Sequence, residues 1–414
     1  MARVLILGLY YPPANFMAGR RFEGWSRHLP AFGHEPLVLT RFYDPEERNS
    51  RDFYASSRST RTLTERWVES DGVVYTNFIQ SRWSRLPLSG KVRGLGHFLW
   101  PDPDHSGWLR QCLMYLESAT FKPDLIIASS SPPGIFRVAR KLSARLRVPW
   151  IADFRDLWIN DSDDSVSTRL KLSLQRGHLS SASGITVATD GMAESIRKQL
   201  GPSHQPIRAI FNGAEPLEHL CPDPNDQEVV AAFQSIKASY PIVLTYTGTL
   251  YPQQHIERHL NTIADLNKPG KELAAVVLCG KHNAAAYEQW PFVHLLRPIA
   301  HQTALFLQSK SSALFYPTWP RGYSIFSGKI FELMVSGRPV LVGFTPSPDL
   351  EALCQHSATV SMMKSPDELI RVLQELPRIG ENPVFDIPAI ATKKYWAGEL
   401  ARFVDEILNQ AGSS

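Results

Sequence analysis

Several features that would fix a function class at once are missing from this 414-residue sequence. No apolar run approaches the roughly 18 residues that a membrane-spanning helix needs. The opening run, Val4 to Leu9, follows a single Arg3 and leads straight into Tyr10, Tyr11, Pro12 and Pro13. It is too short for the core of a secretory signal and has no small-residue cleavage site, so it is expected to be a first buried strand. The four cysteines, Cys112, Cys221, Cys279 and Cys354, stand far apart. That spacing indicates neither a disulfide framework nor a zinc site, and points to a reducing cytoplasm. No Gly-x-Gly-x-x-Gly follows the first strand, which disfavours a dinucleotide oxidoreductase. Internal repeats and low-complexity tracts are also absent.

What is present is a globular composition, 43% hydrophobic and 20% charged, in a chain long enough for two domains. Its charge is unevenly shared. Residues 1–200 hold 27 basic against 20 acidic side chains, and the remainder 17 against 20. A basic half beside a mildly acidic one suits an anionic partner, although an ordinary solvated surface would look the same.

Short apolar runs alternate with amphipathic stretches along the chain. Strands are expected at 4–9, 36–40, 124–130, 150–154, 184–189 and 207–211, then again at 242–248, 274–280, 293–299, 313–317, 339–344 and 359–363. Between them, Gly134–Leu146 places Ile135, Val138, Leu142 and Leu146 at helical spacing. Continuous apolar strands alternating with helices predict parallel sheets covered on both faces, and two sets predict two doubly wound domains. The turn signal Asn212-Gly213, followed by Pro216, Pro222 and Pro224, marks the boundary. Residues 41–110 are irregular and no element is placed there.

The segment richest in chemistry is Ser324 to Leu341. A Ser327-Gly328 turn opens a short helix over 328–336, which ends at Gly337 before Arg338-Pro339 and a strand. A helix N-terminus offers free amides to phosphate, Lys329 adds a cation, and Glu332 projects one turn later on nearly the same side. A carboxylate there can accept ribose hydroxyls. A capped helix with a solvated Lys and Glu would look the same by itself.

This segment resembles the donor-binding signature of glycosyltransferase family 4 and its GT-B relatives, especially the Ser-x-Lys-x-Phe-Glu subgroup of bacterial surface-polysaccharide transferases. The likeness continues in Tyr10-Tyr11-Pro12-Pro13 with Gly19 and Arg20, in Gly33-His34, in Pro101-Asp102-Pro103, in Gly107-Trp108-Leu109 and in Ser131-Pro132-Pro133. It extends through Trp150 to Trp158, Phe211-Asn212-Gly213 and Thr245 to Leu250. The resemblance implies a GT-B architecture: an acceptor-binding domain over 1–212, a nucleotide-sugar-binding domain over 213–388 and a C-terminal helix, 389–414, crossing back to the first domain. The two domains would face each other across a cleft. It also implies metal-independent, retaining transfer of a sugar from a nucleotide-sugar donor, a UDP-sugar being favoured, to a glycan, lipid-linked or small-molecule acceptor. No separate cofactor, metal or nucleic acid is expected.

By this resemblance the donor side comprises Gly248, Thr249, Arg297, Ser324, Ser327, Gly328, Lys329 and Glu332, and the acceptor-side loop Gly19, Arg20 and Ser131. Arg155 and Asp156, just past the strand at 150–154, join Lys329 as catalytic candidates; they could equally pair with each other. Asp153 is read as structural. The departures are specific. The family's diphosphate-flanking Arg and Lys are replaced by Thr249 and Gln254, and its acidic residue eight places before Glu332 by Ser324; Lys329, Arg321 or a basic residue across the cleft would have to substitute. These changes motivate a second reading, a catalytically silent GT-B partner subunit, beside a third, a sugar-nucleotide epimerase. The run Asp161 to Asp164 superficially matches a metal-binding Asp-x-Asp but suits helix capping better. Arg82, Arg85, Lys91, Arg93 and Arg110 interleave with Trp83, Phe98, Trp100 and Trp108, a mixture that suits peripheral contact with the anionic inner leaflet or a partly buried loop.

Overall fold

Strands built almost wholly of Val, Ile, Leu and Ala have no polar face to show to water, so both faces must be covered. The computed structural model describes residues 1–12, 17–42, 67–77, 103–130, 134–159, 166–202, 205–217, 220–268, 270–318, 326–344, 348–376 and 386–412. Among these, fourteen strands form two sheets. The first holds β1 (Ala2–Leu7), β2 (His34–Arg41), β3 (Trp67–Ser70), β4 (Val73–Thr76), β5 (Leu125–Ser130), β6 (Trp150–Phe154), β7 (Gly184–Val187) and β8 (Ile207–Ala209), in the order β3-β4-β2-β1-β5-β6-β7-β8. All its pairings are parallel except β3 with β4. The second holds β9 (Ile242–Thr247), β10 (Ala274–Cys279), β11 (Val293–Leu296), β12 (Ala313–Tyr316), β13 (Val340–Val342) and β14 (Val360–Met362), in the order β11-β10-β9-β12-β13-β14, parallel throughout.

The helices α1 (Met17–His28), α2 (Pro103–Ser118), α3 (Gly134–Leu146), α4 (Val166–Leu179) and α5 (Asp190–Leu200) accompany the first sheet. The second sheet is accompanied by α6 (Gln227–Ser239), α7 (Glu257–Leu266), α8 (His301–Lys310), α9 (Lys329–Met334), α10 (Pro348–Gln355) and α11 (Pro366–Glu375). The chain ends in α12 (Lys393–Gly412). Two compact units result: Met1–Asn212 with Trp396–Ser414, and Gly213–Tyr395. The return therefore begins at Trp396, not at 389. The bridge between Ala214 and Thr392, and the ion pair of Lys393 with Glu215, keep the preceding residues in the second unit. From Trp396 onward the last helix packs into the first unit. Trp396 stacks on Phe211 at 4.6 Å, and Glu406 pairs with Arg208 at 2.7 Å.

The irregular stretch 41–110 hides a hairpin that periodicity did not expose. Strands β3 and β4 meet at Asp71-Gly72, both with positive φ (50° and 73°), the backbone that a two-residue turn between antiparallel strands demands. The same region corrects the reading of Trp108 as an interfacial aromatic. Its ring is fully buried and its Nε1 donates to Thr76 Oγ1 at 2.8 Å. Arg110 is exposed, while Arg82, Arg85, Lys91, Arg93, Trp83, Phe98 and Trp100 lie outside the described residues. No helix among the described residues is long and apolar enough to cross a membrane.

One buried polar network ties the carboxyl ends of the first sheet together. Arg21 of α1 is 3% exposed and Asp153 of β6 is 0% exposed. The guanidinium donates Nε and Nη2 to the Asp153 carboxylate, its other Nη2 proton to the Val187 carbonyl, and Nη1 to the Ile210 carbonyl and Asn212 Oδ1. Asp153 also accepts the hydroxyls of Ser129 (2.7 Å) and Thr186 (2.8 Å), and Arg21 lies over the Trp25 ring at 4.6 Å. All five guanidinium donors have partners, so a burial that would otherwise be very costly is tolerated. Asp153→Ala or Arg21→Met should each lower the unfolding free energy by about 3–5 kcal/mol in urea titrations, since each strands a buried charge. The double variant should lose clearly less than the sum, and strict additivity would show that the two charges do not act as a pair.

Candidate functional site

In the second sheet β9 and β12 are neighbours, and the chain leaves them in opposite directions, towards β10 and β11 on one side and β13 and β14 on the other. Ligands of open α/β sheets bind beyond the carboxyl ends of the strands at such a reversal. The loops there are drawn tightly together. The Gly248 amide donates to the Cys279 carbonyl at 2.8 Å with φ at +142°, a backbone that L side chains rarely adopt. Gly280 backs directly onto it, because a Cβ at Gly280 would lie 2.2 Å from the Gly248 oxygen. Thr249 follows, exposed, its carbonyl accepting the Tyr246 hydroxyl at 3.3 Å.

Gln254 stands where the family resemblance implies a phosphate-binding cation, and it has a different task. Its side-chain oxygen accepts the Tyr251 amide at 2.9 Å, and its nitrogen donates to the Pro317 carbonyl at 3.3 Å. It pins the loop after β9 to the end of β12.

From β12 the chain leads to α9, which is shorter than the expected 328–336 and spans six residues, with Val335 to Gly337 forming a turn. So short a helix sums few peptide dipoles, and the macrodipole contributes correspondingly little. Ile330, Phe331, Leu333 and Met334 are buried, which leaves Lys329 and Glu332 on the uncovered side. Lys329 Nζ lies 2.9 Å from Glu332 Oε2. The Ser327 amide, expected to be free for a ligand, donates to the Tyr316 hydroxyl at 3.0 Å. The amides of Gly328 and Lys329 make no hydrogen bond to another described residue.

Arg297, at the end of β11, forks onto Asp226 Oδ1 and the Asn225 carbonyl, both at 2.8 Å. Burial pushes the Asp226 carboxyl up, but hydrogen bonds from the Ala300 amide, Thr303 and Arg297 outweigh it and hold the group below the usual carboxylate range. Cys279 senses Asp226, Arg297 and Lys329 together; burial first and Asp226 second push its thiol up to about 12. Lys329 and Arg297 are thus gathered around one strand end, each already holding an acidic partner. Ser324 and Arg321 lie outside the described residues.

In the first unit Gly19 and Arg20 belong to α1 and not to a loop. Gly19 lets the helix rest on the chain at Tyr10, whose carbonyl oxygen would be 2.5 Å from an added Cβ, and Arg20 pairs with Glu23. Arg155 and Asp156, after β6, pair with each other, Asp156 being the more exposed. Ser131 and the run Asp161 to Asp164 lie outside the described residues. Among the described residues, no group of three or more His, Cys, Asp or Glu is placed to hold a metal ion.

Two contributors escaped the sequence reading. Tyr316 sets the turn before α9 through the Ser327 amide. His259 of α7 stacks on Phe344 at 4.0 Å and accepts the Phe344 amide at Nε2, steadying the chain after β13. Burial, then Arg258, lowers its pKa to about 4, so the imidazole is neutral. In sequence it falls between Ile256, the residue before α7, and Leu260 and Ile263 within the helix, a pattern that reads as an ordinary core face.

Residues 18–213 match the family model described as Glycosyl transferase 4-like domain. The matched stretch covers most of the first unit and just under half of the chain. A comparison with curated protein sequences gives no match. Among solved structures, sucrose-phosphate synthase from Thermosynechococcus elongatus aligns at TM-score 0.57 and 14% identity, over 100% of this chain and 98% of that one. Anabaena HepE in complex with UDP and glucose aligns at 0.54 and 14%, over 100% and 99%. The UDP-GlcNAc 2-epimerase from Methanocaldococcus jannaschii aligns at 0.51 and 10%, over 98% and 100%. At these identities the likeness concerns the fold, and that fold is the two-domain GT-B type. In this GT-B chain, α9 and the turn at 248 occupy the sheet reversal of the second unit.

His259 gives the second unit a testable acid sensitivity. Its folded pKa lies below the unfolded value near 6.5, so the neutral form's contribution is complete above about pH 6.5 and is lost as pH falls towards 4. The full loss amounts to about 3 kcal/mol. His259→Gln, which can still accept the Phe344 amide, should flatten this part of the stability profile in urea titrations at pH 7, 5.5 and 4.5. Parallel profiles for the two proteins would refute the assignment.

Proposed function

We propose that the protein is a retaining, metal-independent glycosyltransferase that moves a sugar from a nucleotide-sugar donor, a UDP-sugar by preference, to a glycan, lipid-linked or small-molecule acceptor. The observation that carries this reading is the Lys329–Glu332 couple beside the Gly248 turn, at the β9/β12 reversal of the second sheet. A cation, two amides with no hydrogen bond among the described residues, and a carboxylate within one helical turn match the needs of a diphosphate followed by a ribose. The UDP and glucose bound to HepE support the same choice of ligand class.

In this reading Gly213–Tyr395 binds the donor and the first unit binds the acceptor. Lys329 and the amides of Gly328 and Lys329 stabilise charge as it grows on the leaving diphosphate, an electrostatic contribution prepared before the reaction. The sugar passes through an oxocarbenium-like state, and the leaving phosphate takes the acceptor proton on the same face. Ser327 positions the turn through Tyr316, and its amide does not meet the ligand. Arg155 and Asp156 are assigned to the donor sugar or the acceptor. Arg297 is assigned to holding the chain after β11 in place, given its fork onto Asp226 and Asn225. The pathway is placed in bacterial polysaccharide or glycoconjugate synthesis on the cytoplasmic side.

A second reading, a catalytically silent GT-B partner subunit, is favoured by the structural engagement of Gln254. A thermal-shift screen with UDP, GDP, ADP and dTDP sugars separates the two: stabilisation by one of them supports transfer, and no response to any supports the silent subunit. Incubating the protein with the donor alone tests for epimerisation, which needs no acceptor. Lys329→Ala and Glu332→Ala should each lower turnover at least about tenfold, some 1.4 kcal/mol. Near-normal rates in both would remove α9 from the site.

A further inference from the structure

If α9 meets the donor diphosphate, its two polar side chains cannot act independently, because each is the other's partner. Lys329 and Glu332 are 21% and 15% exposed and 2.9 Å apart. Among the described residues the surroundings offer neither of them a substitute. The other four residues of the helix are buried, the Ser327 amide is held by Tyr316, Gln254 is fixed between Tyr251 and Pro317, and Arg297 is forked onto Asp226. Each of the two is therefore the other's ion-pair partner among the described residues.

We propose that Lys329 and Glu332 exchange partners when a nucleoside diphosphate binds, and that this exchange makes the site selective for ligands carrying both a diphosphate and a ribose. The proposal rests on the donor-site reading above and adds a rule of selection to it. Phosphate oxygens draw the Lys329 ammonium away, and the released carboxylate accepts the ribose 2′- and 3′-hydroxyls. A ligand that brings phosphate alone takes the ammonium but strands a half-buried carboxylate beside a second anion. A ligand that brings a ribose alone strands the ammonium. Leaving one member of a partly buried pair without a partner costs more than the pair itself gains. Rejection of the incomplete ligand is thus built into the resting contact. The spacing of three residues is essential, since it lets both groups reach each other when empty and one extended ligand when filled.

The exchange is tested by calorimetric titration of wild type and Glu332→Gln with inorganic pyrophosphate and with UDP. Removing the competing carboxylate should tighten pyrophosphate binding severalfold and lower the preference for UDP over pyrophosphate at least about tenfold. Lys329→Gln is the second variant and should weaken both ligands, which guards against a general effect of altering the helix. Unchanged or weaker pyrophosphate binding by Glu332→Gln, with UDP still bound by wild type, overturns the exchange. Failure of wild type to bind any of UDP, GDP, ADP and dTDP overturns the donor-site reading beneath it.

Discussion

A guanidinium and a carboxylate buried together, Arg21 with Asp153, tie the elements of the first unit to one another. Their network reaches α1, β5, β6, β7, the residue after β8 and Asn212, the last residue before the second unit. Apolar packing could hold these elements against the sheet, but it is non-directional and tolerates sliding. A planar fork with five donors does not, because each displaced partner would leave a buried polar group unsatisfied. The network lies at the carboxyl ends of the strands, where a doubly wound sheet presents ligand-binding loops. It therefore fixes the platform on which Arg155 and Asp156 stand, two and three residues beyond Asp153.

The second unit reaches the same end by different means. Here backbone meets backbone, Gly248 against Gly280, and single side chains brace the loops: Gln254 to Pro317, Tyr316 to Ser327, His259 to Phe344. The acidic and basic groups near α9 are paired among themselves, Lys329 with Glu332 and Arg297 with Asp226. A related chain with two loop cations would attract an anion outright. Among the described residues this site pairs each of these charges with its opposite, so ligand binding becomes an exchange of partners. The replacement of cations by Thr249 and Gln254 and the short reach of α9 point the same way.

Much of this architecture was legible in the chain. All twelve expected strands form, because an unbroken run such as Val4 to Leu7 or Ala274 to Cys279 has only one stable environment, the centre of a covered sheet. Helix α3 matches Gly134–Leu146 because its apolar spacing has a single period. The hairpin β3–β4 was missed although Asp71-Gly72 announced it, since its neighbours are polar and the alternation is weak. The segment that carries Lys329 and Glu332 could be found from its residue types and spacing. The roles of Arg21, Gln254, Tyr316 and His259 could not, because each partner lies far along the chain or on another element.

The sequence by itself determined the two covered sheets, the change of unit at Asn212-Gly213 and the candidate helix, since these follow from local periodicity and turn chemistry. Only the tertiary structure decided which charges are free. Arg21, Arg297 and Lys329 are equally basic in the sequence, yet one is buried in a saturated network, one is fixed to Asp226, and one rests against a carboxylate a single turn away. Pairing depends on distance and burial in three dimensions, which the identity of a residue does not record.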